Sequence, residues 1–243
     1  MSQTDLRHRK AKEISPNIYW INGGSSNLYL AVEEEGLTLF DCGVANRAVL
    51  VFEIMAQLGY QPHDLKQVVV THADPDHVGS LASIQKQSGC KVFAGQETAK
   101  FLKQGVMPKH LPSLFQWLAE QFVSIEVVDM NAVNLVADGD NLPILGGLRV
   151  IATPGHTPDH LAYFSPVTGI LFCGDAVHTR RGPIRPSSDF ISHNPKQVIL
   201  SARKLLNLSP AVFASGHGTP STTHTSEDLM MLYGALHKKE AKL

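Results

Sequence analysis

Apolar positions in this chain fall into two recurring patterns, short runs bounded by turn formers and longer stretches at helical spacing. Ile18-Tyr19-Trp20-Ile21, Asn27-Leu28-Tyr29-Leu30-Ala31-Val32 and Leu37-Thr38-Leu39-Phe40 are of the first kind. Asn22-Gly23-Gly24-Ser25 and Glu34-Glu35-Gly36 separate them, so the pattern predicts an antiparallel meander. Residues 48–58 follow as an amphipathic helix closed by Gly59. Gln67-Val68-Val69-Val70-Thr71 reads as a buried strand, residues 79–88 as a helix, and Lys91-Val92-Phe93-Ala94 as a further strand. A second half repeats the plan. Residues 148–153, 160–164, 170–173 and 211–215 predict strands, residues 195–206 a helix with proline in its first turn, and residues 225–238 a terminal helix. Periodicity alone supports an α/β class and no finer topology.

Residues 98–123 interrupt the alternation. Phe101, Leu102, Val106, Met107, Leu111, Leu114, Phe115, Trp117, Leu118 and Phe122 fall there, and Pro108 and Pro112 divide the segment into short helical pieces. Two readings stand: a helical excursion packed on the core or on a second subunit, or a lid that supplies an apolar wall to a small-molecule pocket. The first leaves a homodimer open.

Composition narrows the class. A chain of 243 residues with 43% hydrophobic content can bury the core of one α/β domain, so a single domain spanning residues 1–243 is expected. A formal net charge of −1 provides no basic face for tracking a nucleic-acid backbone. Cys42, Cys90 and Cys173 are odd in number and widely spaced, as expected of reduced buried thiols in a cytoplasmic protein. Arg7, Arg9, Lys10 and Lys12 are not followed by an apolar segment. Neither a secretory signal nor a membrane span is therefore expected, and residues 1–15 read as a flexible tail.

The chemistry concentrates in His72-Ala73-Asp74-Pro75-Asp76-His77, where four of six side chains, those of His72, Asp74, Asp76 and His77, can be joined with others as metal ligands through nitrogen or oxygen. The run follows a predicted strand and precedes a helical pattern, which puts it at the carboxyl edge of a sheet, where loops converge on a rigid frame. One cluster cannot close a metal site alone. His156 in Pro154-Gly155-His156-Thr157-Pro158-Asp159-His160, Asp175 in Phe172-Cys173-Gly174-Asp175, and His217 in Ser215-Gly216-His217-Gly218 each follow a predicted strand as well.

These elements, in this order, resemble the metallo-β-lactamase fold superfamily, including its glyoxalase II-like and lactonase-like single-domain members. Its pattern is H-x-H-x-D-H, a lone histidine, a bridging aspartate and a last lone histidine. The resemblance runs from about Ile18 to about Pro220 and implies a four-layer αββα sandwich. Carried over residue by residue, it assigns His72, Asp74 and His156 to one divalent metal ion, Asp76, His77 and His217 to a second, and Asp175 as a bridge. It also implies a binuclear hydrolase that cleaves an ester, thioester or lactone of a small molecule by attack of a metal-bridging hydroxide, with Asp76 able to relay the proton. Asp41 and His160 correspond to residues that hold ligands in place from behind.

The chain departs from the commonest family pattern at Asp74, where histidine is usual. Three carboxylates, Asp74, Asp76 and Asp175, with one hydroxide would cancel the charge of two dications, whereas histidine at position 74 would leave one net positive charge. Zinc remains the first expectation, and the carboxylate-rich set brings in iron or manganese. An iron-dependent oxidoreductase acting on oxygen or a sulfur compound is accordingly the alternative reading. Arg180, Arg181 and Arg185 follow Asp175 closely, and Arg181 or Arg185 is expected to clamp a substrate anion unless the loop is simply solvated.

Overall fold

The computed structural model describes residues 11–122, 125–180, 182–223 and 226–240. Strands β1 (Ala11–Ser15), β2 (Ile18–Asn22), β3 (Asn27–Glu33) and β4 (Gly36–Phe40) form the expected antiparallel meander. Helix α1 (Ala48–Gln57) then crosses to β5 (Leu65–Val69), which runs parallel to β4. Helices α2 (Pro75–Val78) and α3 (Leu81–Ser88) lead to β6 (Lys91–Ala94), and α4 (Gln96–Gln104) and α5 (Ser113–Phe122) lead to β7 (Val133–Leu135). Together these strands make a seven-stranded sheet in sequence order.

The second sheet has five strands. Its members β8 (Asn141–Leu142), β9 (Leu148–Ala152), β10 (Leu161–Ser165) and β11 (Ile170–Gly174) are antiparallel neighbours. A short hairpin of β12 (Val177–His178) and β13 (Arg185–Pro186) and then helix α6 (Pro195–Leu206) precede β14 (Val212–Ser215), which pairs in parallel with β11. Helix α7 (Ser226–Glu240) closes the described chain.

Side-chain alternation builds the layers. Leu28 and Leu30 point to the cluster under α1 and α3, while Tyr29 and Ala31 between them point to the other sheet. In the second sheet Leu171 and Cys173 face α6 and α7, and Ile170 and Phe172 face inward. Both faces of the central strands are thus covered, which is why their sequences read as continuous apolar runs. The result is helix, sheet, sheet, helix, the αββα sandwich. At its centre Phe40 and Phe172 stack across the sheets with ring centroids 3.6 Å apart, and Tyr29 meets Phe172 edge-on at 5.7 Å.

Polar bonds between the sheets set the edge that carries the site. The Tyr163 hydroxyl donates to the Val70 carbonyl at 2.8 Å, and the Tyr29 hydroxyl to the Ser215 carbonyl at 2.7 Å. Backbone bonds cross as well, from Leu161 N–H to Thr71 O at 2.9 Å and from Asn27 N–H to Gly216 O at 2.7 Å. The ends of β5, β10 and β14 are therefore locked against each other, and the loops leaving them begin from fixed positions.

The tail expectation needs correction. Residues 11–15 pair with β2, Ala11 opposite Ile21, and Ala11 and Ile14 pack on the two clusters that flank the first sheet. Only residues 1–10 of the expected tail lie outside the described residues. The predicted helix at 79–88 begins at Leu81 and is preceded by the single turn of α2. In the interrupting segment, Leu102 and Met107 are buried in the core cluster, whereas Leu114, Phe115 and Trp117 of α5 are more than half exposed. Phe115 touches Phe190 edge-on at 5.7 Å. Among the described residues, no helix is long and apolar enough to cross a membrane.

Candidate metal centre

Four loops at one edge of the two sheets deliver the predicted ligands. After β5 the chain continues through Val70 and Thr71 to His72, then turns at Asp74, which caps α2 with extended backbone while Pro75 occupies the first helical turn. Asp76 and His77 sit on that single turn, so His72 and Asp74 approach from before it and Asp76 and His77 from upon it. His156 lies between β9 and β10, Asp175 directly after β11, and His217 directly after β14.

Two glycines make this approach possible. Gly174 has φ +49°, and a Cβ there would fall 2.6 Å from His160 Nε2 and 2.8 Å from Thr71 Oγ1. A Cβ on Gly216 would run into the Asp175 carboxylate and lie 2.7 Å from the His77 ring. Any other residue at Gly216 would displace a ligand, and at Gly174 it would displace the residues that hold ligands in place.

The structure brings all seven predicted ligands together. Asp76, His77 and His217 form one group whose donor atoms lie within 4.8 Å of one another, and His72, His156 and Asp175 form another. Asp175 spans the two, with Oδ1 3.3 Å from His77 Nε2 and Oδ2 3.0 Å from His217 Nε2 and 3.6 Å from His156 Nε2. Asp74 Oδ2 lies 3.1 Å from His156 Nε2 and 3.5 Å from His72 Nε2. Asp76 Oδ2 is 3.5 Å from His217 Nε2.

The ligand histidines are held from behind through Nδ1. His77 Nδ1–H donates to Asp41 Oδ2 at 2.8 Å. His72 Nδ1–H donates to Thr71 Oγ1 at 2.9 Å, and that hydroxyl in turn donates to Asp41 Oδ2 at 2.8 Å. His156 Nδ1 meets the Ser187 hydroxyl at 3.2 Å, and His217 Nδ1 meets the Ser25 carbonyl at 2.8 Å. In the neutral imidazole a proton kept on Nδ1 leaves Nε2 free to bind an ion, and all four Nε2 atoms point to the same place. His72 Nε2, His77 Nε2, Asp74 Oδ1 and Asp175 Oδ1 are buried without hydrogen-bond partners. Lone pairs of imidazole and carboxylate facing one another at such distances repel unless cations lie between them. The donor set therefore fits divalent metal ions, with imidazole and carboxylate in proportions that suit zinc, iron or manganese.

The remaining predicted residues take several places. Asp41 adopts φ +54° at the end of β4 and, besides His77, accepts the Thr71 N–H at 2.9 Å. His160 does not enter either ligand group: its Nε2 accepts the Asp175 N–H at 2.9 Å and its Nδ1–H donates to Thr153 Oγ1 at 2.7 Å, which holds the backbone of the bridging residue. Arg181 lies outside the described residues. Arg185 is exposed on β13, away from the residues lining the cavity above the ligands, whereas Arg180 lines that cavity and places a guanidinium nitrogen 2.7 Å from His217 Nδ1. When that Nδ1–H donates to Ser25, Arg180 keeps its donors for the cavity.

Sequence reasoning missed His110. It lies between α4 and α5 within the interrupting segment, its side chain only 2% exposed, with Nε2 3.2 Å from Asp74 Oδ2. Nothing in its local sequence distinguishes it from a surface histidine. The cavity measures about 630 Å³, and Met107, Leu111 and Ile191 contribute apolar wall beside His110.

The charges are arranged as a coupled network. Burial opposes charge on His77, yet the carboxylates of Asp175, Asp41 and Asp76 outweigh it and push the imidazole well above its usual range. Burial likewise opposes charge on His156, but Asp74 and Asp175 raise it. Asp74 and Asp175 would be pushed up by burial, but the surrounding histidines hold both well below the usual carboxylate range. Burial lowers His160 and, with the charge of His77, His72. An ion entering at Nε2 of His77 or His156 must displace a proton held by a raised pKa. Metal uptake is thus expected to release protons, and affinity to rise with pH through those raised values and weaken as pH falls below them. Calorimetric titration in buffers of different ionisation enthalpy measures the release; an observed heat independent of buffer would contradict it.

Residues 21–217 match the family model of the metallo-β-lactamase superfamily. A probable metallo-hydrolase, YflN of Bacillus subtilis (strain 168), is 25% identical over 242 residues, covering 91% of this chain and 91% of that protein. A hydroxyacylglutathione hydrolase of Rhodopseudomonas palustris (strain BisA53) is 32% identical over 126 residues, covering 51% of this chain and 38% of that protein. Among solved structures, the Rm3 metallo-β-lactamase aligns with a TM-score of 0.73 at 18% identity, covering 100% of this chain and 98% of that one, a likeness of fold.

Proposed function

Because the chain belongs to the metallo-β-lactamase superfamily, we propose that it is a binuclear metal-dependent hydrolase of small-molecule esters, thioesters or lactones. The observation that carries this reading is the convergence of four histidine Nε2 atoms and three carboxylates on and beneath the floor of a cavity of about 630 Å³ with a partly apolar wall. His72, Asp74 and His156 would hold one divalent ion, Asp76, His77 and His217 the other, with Asp175 between them. When bound, such a pair supplies Lewis-acid polarisation of a carbonyl and activation of water at neutral pH.

The protein's own residues supply the rest. Asp41 and Thr71 fix the ring planes of His72 and His77, so the ligand geometry is set before substrate arrives. Asp76 has the most accessible of the three carboxylates, 29% exposed against 10% for Asp74 and 7% for Asp175. It faces the cavity and is the one placed to accept a proton from the attacking water and return it to the leaving group. Met107, Leu111 and Ile191 exclude water from one side and suit an acyl chain. Arg180 offers the cavity a bidentate partner for a carboxylate. A hydroxyacylglutathione is an acyl thioester bearing carboxylates, so the name of the second relative agrees with both features.

Metal-reconstituted protein should therefore hydrolyse acyl thioesters, with carboxylate-bearing substrates preferred over neutral ones. Arg180→Ala should lower kcat/KM for the anionic class by about 10- to 150-fold relative to the neutral class, as expected when a charge-assisted contact of about 1.5–3 kcal/mol is removed. Arg185→Ala should leave that ratio unchanged. Failure of the metal-loaded protein to turn over any member of an ester, thioester and lactone panel would reject the hydrolase reading, and equal losses for both substrate classes in Arg180→Ala would reject the clamp.

A further inference from the structure

The interrupting segment brings one side chain to the metal centre, and its geometry resembles that of a ligand. His110 Nε2, Asp74 Oδ2 and His156 Nε2 form a third group of donor atoms within 4.8 Å of one another. The 3.2 Å from His110 Nε2 to Asp74 Oδ2 and the 3.1 Å from His156 Nε2 to the same oxygen are close to the separation of about 3.3 Å between two donors that each lie about 2.0–2.1 Å from one tetrahedral ion. The His110 and His156 rings are 4.8 Å apart. Asp74 stands where the sequence pattern leads one to expect an imidazole, and His110 brings an imidazole to the oxygen of that same residue from a different part of the chain.

The loop that carries His110 is constructed to keep it there. Gln116 of α5 folds back so that its Oε1 accepts the N–H groups of His110 and Leu111, both at 3.3 Å, while its Nε2 donates to the Pro108 carbonyl at 3.3 Å. Pro108 and Pro112 restrict the backbone on either side. Met107 anchors the loop in the core cluster, and Phe115 against Phe190 ties α5 to the turn at Asp189–Ile191, which also lines the cavity. The His110 ring is buried, and its Nδ1 has no hydrogen-bond partner. The polar atoms that face His110 Nε2 are themselves metal-ligand donors, which places the imidazole to share their ion.

We propose that His110 is a metal ligand carried by the segment over the cavity, joining Asp74 and His156 on one ion. The proposal rests on the binuclear-metal reading above.

Cobalt(II) titration tests it without reference to turnover, because the visible ligand-field bands report the donors on the ion. In the parent protein, two cobalt ions should bind. In His110→Ala, the affinity of one of them should fall by at least about tenfold and its band pattern should change, and added imidazole should restore both. His110→Gln, which keeps a polar side chain at the loop that Gln116 holds through its backbone, should show the same spectral change with the fold intact. Unchanged affinity and bands in both variants would overturn the proposal while leaving the hydrolase reading standing. Lowered affinity with unchanged bands would overturn it too, reducing His110 to a hydrogen-bond donor to Asp74. A parent protein that binds no cobalt would overturn the binuclear reading itself.

Discussion

His217→Ala and His156→Ala proteins should lose hydrolysis by about a thousandfold or more, and each should fall from about two bound metals per chain toward about one. His217 donates Nδ1–H to a backbone carbonyl and faces Asp76 and Asp175 with Nε2, so alanine removes one donor from the group it shares with Asp76 and His77. His156 does the same for the group it shares with His72 and Asp175. The backbone at both positions is pinned: Gly155 packs against the Val198 backbone at the start of α6, and Gly216 against the bridging carboxylate. Metal content by elemental analysis and kcat/KM on a chosen thioester decide the matter together. A fully active His217→Ala protein with unchanged metal content would remove His217 from the centre.

Asp41→Ala should be nearly as damaging without touching a predicted metal donor. One carboxylate takes the Nδ1–H of His77, the N–H of Thr71 and the hydroxyl of Thr71, and that hydroxyl accepts from His72. Both imidazoles lose their tautomer and ring restraint when it goes. Metal affinity should drop by about 10- to 100-fold, and the buried Thr71 N–H, left unpaired, should destabilise the fold by about 1–3 kcal/mol. Asp41→Asn separates the two effects, since asparagine tolerates the φ of +54° and its amide oxygen can still accept from Thr71. Chelator competition and a urea unfolding curve on both variants provide the readouts. Parent-like metal affinity in Asp41→Ala would show that the rings are held by packing alone.

Much of the centre was legible because its chemistry is written locally. His72, Asp74, Asp76 and His77 fall within one strand-turn-helix, and their residue types and spacing survive any arrangement of the rest. The lone ligands His156 and His217 and the bridging Asp175 are marked by an adjoining glycine, required for close approach. Strand β11 and the middle of β3 were legible because burial on both faces leaves them apolar. The short β7, β8, β12 and β13 have two or three residues each, too few for a period to register. Strand β1 reads as tail in sequence because Lys12 and Glu13 stand in a five-residue element, and only pairing with Ile21 and its neighbours makes it a strand.

The sequence alone determined the family, the α/β class and the seven ligand-type residues, since ligand chemistry depends on side-chain identity and local backbone, both of which a sequence specifies directly. The tertiary structure decided which of the remaining polar residues join them. Arg180 and Arg185 are five positions apart with similar surroundings in sequence, yet the β12–β13 hairpin leaves one at the cavity and the other in solvent. His110, His178 and His193 are equally anonymous as letters, and only the fold of residues 98–122 over the sheet edge brings His110 to 3.2 Å from Asp74. Such a contact depends on two loops converging from different parts of the chain, and the period of neither loop encodes where the other will lie.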